Sequence, residues 1–114
     1  MKKCKIEIPD NLGNYGYLCE EIIMISSKNN YVEFYLVNDS FRILSTLKGI
    51  LKYVPNDYFV KINRSIIINL KHIKFVTENA NIKVYLSNNT EHVISDMYKK
   101  EFFEKFMKIT KKPA

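Results

Sequence analysis

Alternating apolar and polar residues mark two segments of this chain as β-strands with one buried face each. Successive side chains of a strand point to opposite faces, so each set of apolar residues shares a face. The two sets are Val32, Phe34 and Leu36, and Ile82, Val84 and Leu86. Clusters rich in Asn, Asp and Ser predict turns at 26–30, 38–40, 78–81 and 87–90. Because the chain has only three glycines, we expect asparagine to supply left-handed turn positions. The pattern predicts short antiparallel strands joined by hairpins.

Helical spacing replaces this alternation in two places. Between residues 47 and 54, apolar residues recur at i, i+3, i+4 and i+7, after the potential N-cap pair Ser45 and Thr46 and before Pro55. An aromatic stripe between residues 98 and 109 predicts a C-terminal helix whose lysines face away from the core. Ser95 can cap that helix, and Asp96 then lies where the helix dipole favours a negative charge. The chain is therefore predicted to be mainly β, with two helices.

The length of the chain fits one domain over residues 1–114, with enough apolar residues for a single core. No apolar run reaches the roughly 18 residues that a membrane-spanning helix needs. The N-terminal residues lead into Ile6-Glu7-Ile8-Pro9 and not into the apolar core of a signal peptide. We therefore expect a soluble, cytoplasmic protein.

Positive charge is concentrated in the second half of the chain. Residues 1–58 contain seven Lys and Arg against seven Asp and Glu, whereas residues 59–114 contain eleven against five, which gives the net charge of +6. One-sided basicity is typical of proteins that bind a polyanion, although a lysine-rich helix face that only keeps the domain soluble is an equally good explanation.

The segment from Phe59 to Ile73, FVKINRSIIINLKHI, places Asn63 and Arg64 between two β-prone runs. Arg64 is one of only two arginines, against sixteen lysines. Its planar fork can bond O6 and N7 of guanine together, whereas lysine would supply only a point charge. For Asn69 we prefer a structural role, in which the side chain satisfies nearby backbone groups.

Signals for catalysis or metal binding are missing from the sequence. It has no Gly-rich phosphate loop, no paired carboxylates at a useful spacing and no ordered nucleophile and base, so we expect no enzyme and no cofactor. Cys4 and Cys19 lack CxxC spacing, and the two histidines are far from them, so no metal site is expected. Eight tyrosines and seven phenylalanines on a basic β scaffold leave one alternative function, a non-enzymatic module that stacks RNA or single-stranded bases.

The chain resembles the LytTR domain, the DNA-binding output module of many bacterial response regulators. The resemblance covers roughly residues 17–106. Its pieces occur in the family's order: ISSKNNYVEFYL from Ile25, STLKGIL from Ser45, YFVKINRSIIINLKHI from Tyr58 and HVIS before the last helix. The central block carries the specific pattern R-S-x-x-[IV]-N-x-x-x-I, which is filled by Arg64, Ser65, Ile68, Asn69 and Ile73.

The resemblance implies short antiparallel strands in small stacked sheets, with one short internal helix and a C-terminal helix. It also implies sequence-specific binding of double-stranded DNA, in which loops at sheet edges enter successive major grooves. By position, the first loop ends at Asn30 and the second contains Asn63 and Arg64. These three residues are the candidates for reading bases, and the candidates for binding phosphates are Lys28, Lys61, Lys71, Lys99 and Lys100.

The third family loop follows Ile94, and here the sequence departs from the family pattern. The family usually places an arginine directly after the serine that corresponds to Ser95, but this chain has Asp96. A carboxylate opposes DNA phosphates, although it can accept from a cytosine amino group. We prefer the interpretation that Asp96 stabilises the start of the helix.

The length of the chain bears on whether a signalling domain accompanies the DNA-binding domain. With 114 residues it has no room for a phosphoacceptor domain of about 120 residues as well. We therefore expect either the output part of a larger regulator, with an upstream signalling domain, or a free-standing DNA-binding protein. A homodimer on paired half-sites is compatible with both.

Overall fold

A computed structural model describes residues 5–10 and 13–110, without the side chains of residues 9, 10 and 13–15. The helices are α1 (Leu47–Leu51) and α2 (Asp96–Thr110), and single 3-10 turns occupy Cys19–Glu21 and Leu70–His72. The strands are β1 (Lys5–Asp10), β2 (Gly13–Leu18), β3 (Ile22–Lys28), β4 (Tyr31–Leu36), β5 (Ser40–Leu44), β6 (Phe59–Asn63), β7 (Ile66–Asn69), β8 (Ile73–Glu78), β9 (Ile82–Leu86) and β10 (Glu91–Val93).

The strands form three antiparallel sheets. The central sheet has five strands in the order β5-β4-β3-β7-β6, so β3 lies between β4 and β7. A second sheet has the order β10-β9-β8, and β1 pairs with β2 alone. The prediction of a mainly β fold with short antiparallel strands in small stacked sheets is confirmed.

Hydrophobic cores lie on both faces of the central sheet. Ile67 and Ile68 are neighbours on β7, and their side chains point to opposite faces, so each belongs to a different core. The first core also contains Ile6 of β1 and Ile50 of α1. In the second core, apolar residues of the three-stranded sheet and of α2 cover the other face, with Phe102 fully buried. The central sheet is therefore the middle layer of three.

Both predicted helices are present, and the internal one is shorter than its sequence pattern. The Thr46 side chain caps α1 by accepting a hydrogen bond from the backbone N–H of Gly49 at 3.0 Å. After Leu51 the chain continues in tighter i to i+3 turns, in which the N–H of Val54 donates to the carbonyl of Leu51 at 3.2 Å. Val54 still reaches the core, although the α-helix has already ended.

The predicted turn at 26–30 is too long. Ser26, Ser27 and Lys28 belong to β3, and only Asn29 and Asn30 lie outside the strands. Ser26 pairs with Glu33 on one side and with Ile66 on the other, so ladder hydrogen bonds on both sides keep this polar stretch extended. Asparagine does supply left-handed positions, with φ of 54° at Asn29 and 65° at Asn89.

Candidate nucleic-acid interface

The first predicted contact loop is a tight hairpin. Lys28 pairs with Tyr31, so Asn29 and Asn30 alone connect β3 to β4. Asn29 takes the left-handed conformation, which asparagine tolerates better than most residues. Asn30 is exposed at the tip of the hairpin. The loop is therefore short and held at both ends by the central sheet.

The second predicted loop is the turn between β6 and β7, and Asn63 shapes it. Its side-chain oxygen accepts a hydrogen bond from the backbone N–H of Ser65 at 2.8 Å, which closes an Asx turn around Arg64. The amide nitrogen of Asn63 donates to no group in the part of the chain that the structure describes. Arg64 is exposed at the turn. Asn63 thus combines a structural role with a free donor.

Two long-range backbone hydrogen bonds bring the three predicted loops to one end of the molecule. The N–H of Ser27, beside the first loop, donates to the carbonyl of Ser65 in the second loop at 2.9 Å. The N–H of Ser95, at the start of α2, donates to the carbonyl of Ile62, just before the second loop, also at 2.9 Å. Segments near residues 30, 64 and 96 therefore form one surface.

At the third loop, Asp96 is the first residue of α2 and its side chain is 95% exposed. It forms an ion pair with Lys99, and the hydrogen bond from Lys99 lowers the pKa of Asp96. Ser95 occupies the cap position, where its carbonyl accepts from the N–H of Tyr98 at 2.9 Å. Lys100 is exposed and forms no ion pair with a residue that the structure describes. Negative and positive groups therefore lie side by side at this loop.

The two remaining candidate lysines differ in their distance from the second loop. Lys61 is on β6, two residues before Asn63, and its Nζ lies 5.9 Å from the centre of the Tyr98 ring. Lys71 follows the far end of β7, and the Lys71 Nζ lies 4.1 Å from the centre of the Tyr58 ring. Since the four residues of β7 span roughly 10 Å, Lys71 lies at the opposite end of the strand from Arg64. Lys71 is therefore not brought together with the other candidates.

Sequence reasoning missed Arg42, which lies close behind the first loop. Arg42 on β5 pairs in register with Glu33 on β4. The Arg42 guanidinium carbon lies 4.5 Å from the centre of the Tyr31 ring, and Tyr31 directly follows Asn30. The amino-acid composition held one signal for Arg42, because it is the second of only two arginines in the chain.

Lys28, one of the predicted phosphate-binding residues, shares its ion-pair partner with Arg42. The Lys28 Nζ lies 3.5 Å from Oε1 of Glu33. A hydrogen bond with the Tyr35 side chain raises the pKa of Lys28, and the negative charge of Glu33 adds to this effect. The ammonium group therefore stays charged, but it is already in contact with protein groups.

The described residues contain no group of three or more His, Cys, Asp or Glu side chains that could hold a metal ion. Cys4 lies outside the described residues. Within the same ranges, 5–10 and 13–110, no helix is long and apolar enough to cross a membrane.

Comparison with solved structures supports the fold. A LytTr DNA-binding domain from Bacillus cereus superposes with a TM-score of 0.72, and the match covers 91% of this chain and 97% of that one. The sequence identity between the two is 17%, so this likeness shows the fold alone.

Sequence relatives point to the same family. The chain is 31% identical over 85 residues to the transcriptional regulatory protein LytR of Staphylococcus aureus, which covers 73% of this chain and 35% of that protein. It is 28% identical over 88 residues to the sensory transduction protein LytT of Enterococcus faecalis, with coverage of 75% and 36%. The chain spans about a third of the length of these relatives. The model of the LytTr DNA-binding domain family matches residues 15–107. The chain therefore belongs to the LytTR family and is a DNA-binding regulator domain, not an enzyme.

Proposed function

We propose that this domain recognises specific sequences in double-stranded DNA as part of a bacterial transcriptional regulator. In this proposal the three loops at one end of the β scaffold enter successive major grooves. The observation that carries the proposal is the pair of backbone hydrogen bonds, Ser27 to Ser65 and Ser95 to Ile62, which join three loops distant in sequence into one surface.

The residues of this surface have different proposed roles. Arg64 is exposed and its fork fits the O6 and N7 acceptors of guanine. Asn30 and Asn63 offer amide groups to adenine, and Asn63 still has a free donor after closing its turn. Phosphate contacts fall first to Lys61 and Lys100, because flexible lysines bind backbone charge without selecting a base. Lys28 and Lys99 are further candidates, but each must first leave its ion pair with Glu33 or Asp96. We leave Lys71 out of the interface, since it lies beyond the far end of β7.

The proposal also concerns the larger protein in which the domain acts. The relatives are a transcriptional regulatory protein and a sensory transduction protein that are about three times longer than the matched segment. We infer that this domain acts in the cytoplasm under an upstream signalling domain. We also infer that two copies bind paired half-sites, since dimers read half-sites spaced by a helical turn.

Selection of binding sites from a random duplex library, at two stated salt concentrations, tests the proposal. We expect an enriched motif with fixed half-site spacing, and loss of the guanine preference at one position for Arg64→Ala. Lys71→Ala is the matched control, because it removes a positive charge outside the proposed surface. No enrichment by the wild-type domain would contradict sequence-specific recognition.

Competition between the selected duplex and single-stranded nucleic acid decides between duplex DNA and the alternative of RNA or single-stranded nucleic acid. Stacking of unpaired bases needs exposed aromatic rings. Among the described residues, Phe34, Phe59 and Phe102 are buried, whereas Phe75 is half-exposed and stacks on Tyr85 in the three-stranded sheet. Among the described residues, the exposed ring of Phe75 is the observation that favours the alternative. Tighter binding of a single-stranded competitor, abolished by Phe75→Ala, would favour it over duplex DNA.

A further inference from the structure

A cluster of charged and aromatic side chains lies on the strands directly behind the first loop. Glu33 on β4 is its centre, with its side chain 11% exposed. Oε1 of Glu33 lies 3.5 Å from the Nζ of Lys28 and 3.6 Å from the Nε of Arg42. This oxygen is buried and has no hydrogen-bond partner among the described residues. One buried carboxylate thus faces two cations.

Burying a carboxylate costs free energy that surrounding cations offset only in part. Replacing a buried ion pair with well-packed apolar residues is often neutral or stabilising, so stability alone does not account for a carboxylate at such a position. The position of the carboxylate therefore points to a role in orienting its partners, and the two partners are oriented differently.

Arg42 is oriented toward the loop. Its Nε faces Glu33, and its guanidinium carbon lies 4.5 Å from the centre of the Tyr31 ring. Tyr31 is the first residue after Asn30, so stacking on its ring holds the guanidinium plane beside the hairpin tip. The Arg42 side chain is nevertheless 61% exposed. Its two terminal Nη groups donate to no acceptor in the described segments, so they are open to solvent.

Lys28 is oriented away from the loop. It pairs in register with Tyr31, but its Nζ reaches Glu33, two residues further from the turn. The same Nζ lies 5.8 Å from the centre of the Tyr35 ring, which is further still along β4. The sequence made Lys28 the obvious cation of the first loop, whereas the side-chain geometry favours Arg42.

We propose that Arg42 binds a backbone phosphate of DNA beside the first loop, and that Glu33 and Tyr31 are positioning residues that hold its guanidinium. This inference rests on the proposed function of the domain. Two parallel N–H donors match two phosphate oxygens, and the pair of free Nη groups supplies them. A phosphate contact at this place anchors the hairpin to the DNA backbone and adds affinity without reading a base.

Arg42→Ala tests the phosphate contact, with Lys108→Ala as the matched control. Lys108 is exposed near the C-terminal end of α2, and its replacement removes the same charge away from the three loops. Binding is measured on the duplex selected by the wild-type domain and on an unrelated duplex, over a salt series. We expect Arg42→Ala to weaken binding to both duplexes by roughly tenfold. The log-log salt slope should fall in magnitude by about 0.9, and the base preference should be unchanged.

Glu33→Gln tests the positioning role through a double-mutant cycle. If Glu33 holds the guanidinium, Arg42→Ala should cost less affinity in the Glu33→Gln background than in the wild-type background. If Glu33 only cancels positive charge, the affinity lost on Arg42→Ala should be the same or larger in the Glu33→Gln background. Tyr31→Leu is the second positioning variant if Glu33→Gln does not fold, which thermal unfolding will show.

The outcomes separate this proposal from the proposed function. If the wild-type domain does not bind duplex DNA, both proposals are wrong. If it binds and Arg64→Ala relaxes base preference, but Arg42→Ala behaves as Lys108→Ala does, only the Arg42 proposal is wrong. A change of base preference in Arg42→Ala would also overturn it, because a phosphate contact carries no direct sequence information.

Discussion

Two exposed cations at the loop surface, Arg64 and Lys100, differ in the chemistry that they offer to DNA. Arg64 lies in a turn closed by Asn63, so its backbone is held while its guanidinium projects outward. Lys100 lies in the second turn of α2 on a flexible stem. A planar fork selects a base edge, and a point charge does not.

We therefore expect Arg64→Ala and Lys100→Ala to give different phenotypes. Arg64→Ala should cost roughly 1 to 3 kcal/mol of binding free energy on the preferred duplex and relax specificity at one base pair. Lys100→Ala should weaken binding to all sequences alike and lower the magnitude of the salt slope by about one. Titrations of both variants on matched and mismatched duplexes measure this. Equal losses on every duplex for both variants would make Arg64 another phosphate contact.

Asp96 stands where the family resemblance implies an arginine, and its ion pair with Lys99 makes two interpretations of it testable. If Asp96 only stabilises the start of α2, Asp96→Asn should leave base preference intact and strengthen binding to all duplexes, since Lys99 becomes available to phosphates. If Asp96 reads a cytosine amino group, the preferred duplex should lose affinity and one outer base should change. We expect the first result in a repeated site selection.

Asp96→Asn should also change how the stability of the domain depends on pH. The pKa of Asp96 is lowered, chiefly by the hydrogen bond from Lys99. The stability from this pair is present above the unfolded-state pKa of 3.8 and is lost as the pH falls through the lower folded-state pKa. Asp96→Asn should therefore weaken the domain at neutral pH and leave its stability near pH 2 closer to that of the wild type. Unfolding curves at the two pH values test this. If the variant and the wild type differ in stability by the same amount at both pH values, the ion pair is not the cause of the difference.

Among the elements, β7 connects the proposed interface to the interior. It begins at the Arg64 turn and ends at Asn69, which is almost fully buried. The Asn69 side-chain nitrogen donates to the carbonyls of Cys19 and Ile22, at 3.1 and 2.9 Å, and its oxygen accepts from the N–H of Lys71 at 2.9 Å. The preference for a structural role at Asn69 is confirmed. Two 3-10 turns that are about 50 residues apart are thereby joined.

Asn69→Ala should destabilise the domain by roughly 2 to 4 kcal/mol, because it leaves buried backbone groups without partners. Asn38→Ala is the control, since Asn38 is exposed in the turn between β4 and β5 and should change stability by less than about 0.5 kcal/mol. Urea unfolding followed by circular dichroism gives both values. Similar midpoints for the two variants would mean that the buried hydrogen bonds contribute little.

For the molecule as a whole, charge and loop placement act together. The excess positive charge lies after residue 58, and the second and third loops are both in that half. Arg42 adds to it from the first half, behind the first loop. A surface that combines three loops with cations should bind duplex DNA through several phosphates at once.

Binding to duplex DNA should therefore depend strongly on salt. Each phosphate contact contributes about −0.9 to the log-log salt slope. With about three to seven contacts, we expect a slope of about −3 to −6. Fluorescence anisotropy between low and moderate salt measures the slope, and a duplex of unrelated sequence serves as the control. An affinity that does not change with salt would show that the charge asymmetry only keeps the domain in solution.

The sequence by itself determined the β-strands around Val32 and Val84, the two helices, and the family. These features depend on local periodicity, on caps and on a contiguous motif around Arg64, all of which are readable along the chain. It also indicated an Asn-rich hairpin, although it could not show that Ser26 and Ser27 stay extended between two partner strands.

Only the tertiary structure decided which candidates share a surface. The hydrogen bonds from Ser27 to Ser65 and from Ser95 to Ile62 join segments more than 30 residues apart, and no local pattern encodes such pairs. Lys71 is only seven residues after Arg64, yet it lies beyond the far end of β7 and outside this surface. Side-chain orientation is likewise a tertiary property, because Arg42 and Lys28 both approach Glu33 from strands on either side of β4, and only Arg42 also reaches the Tyr31 ring beside the first loop.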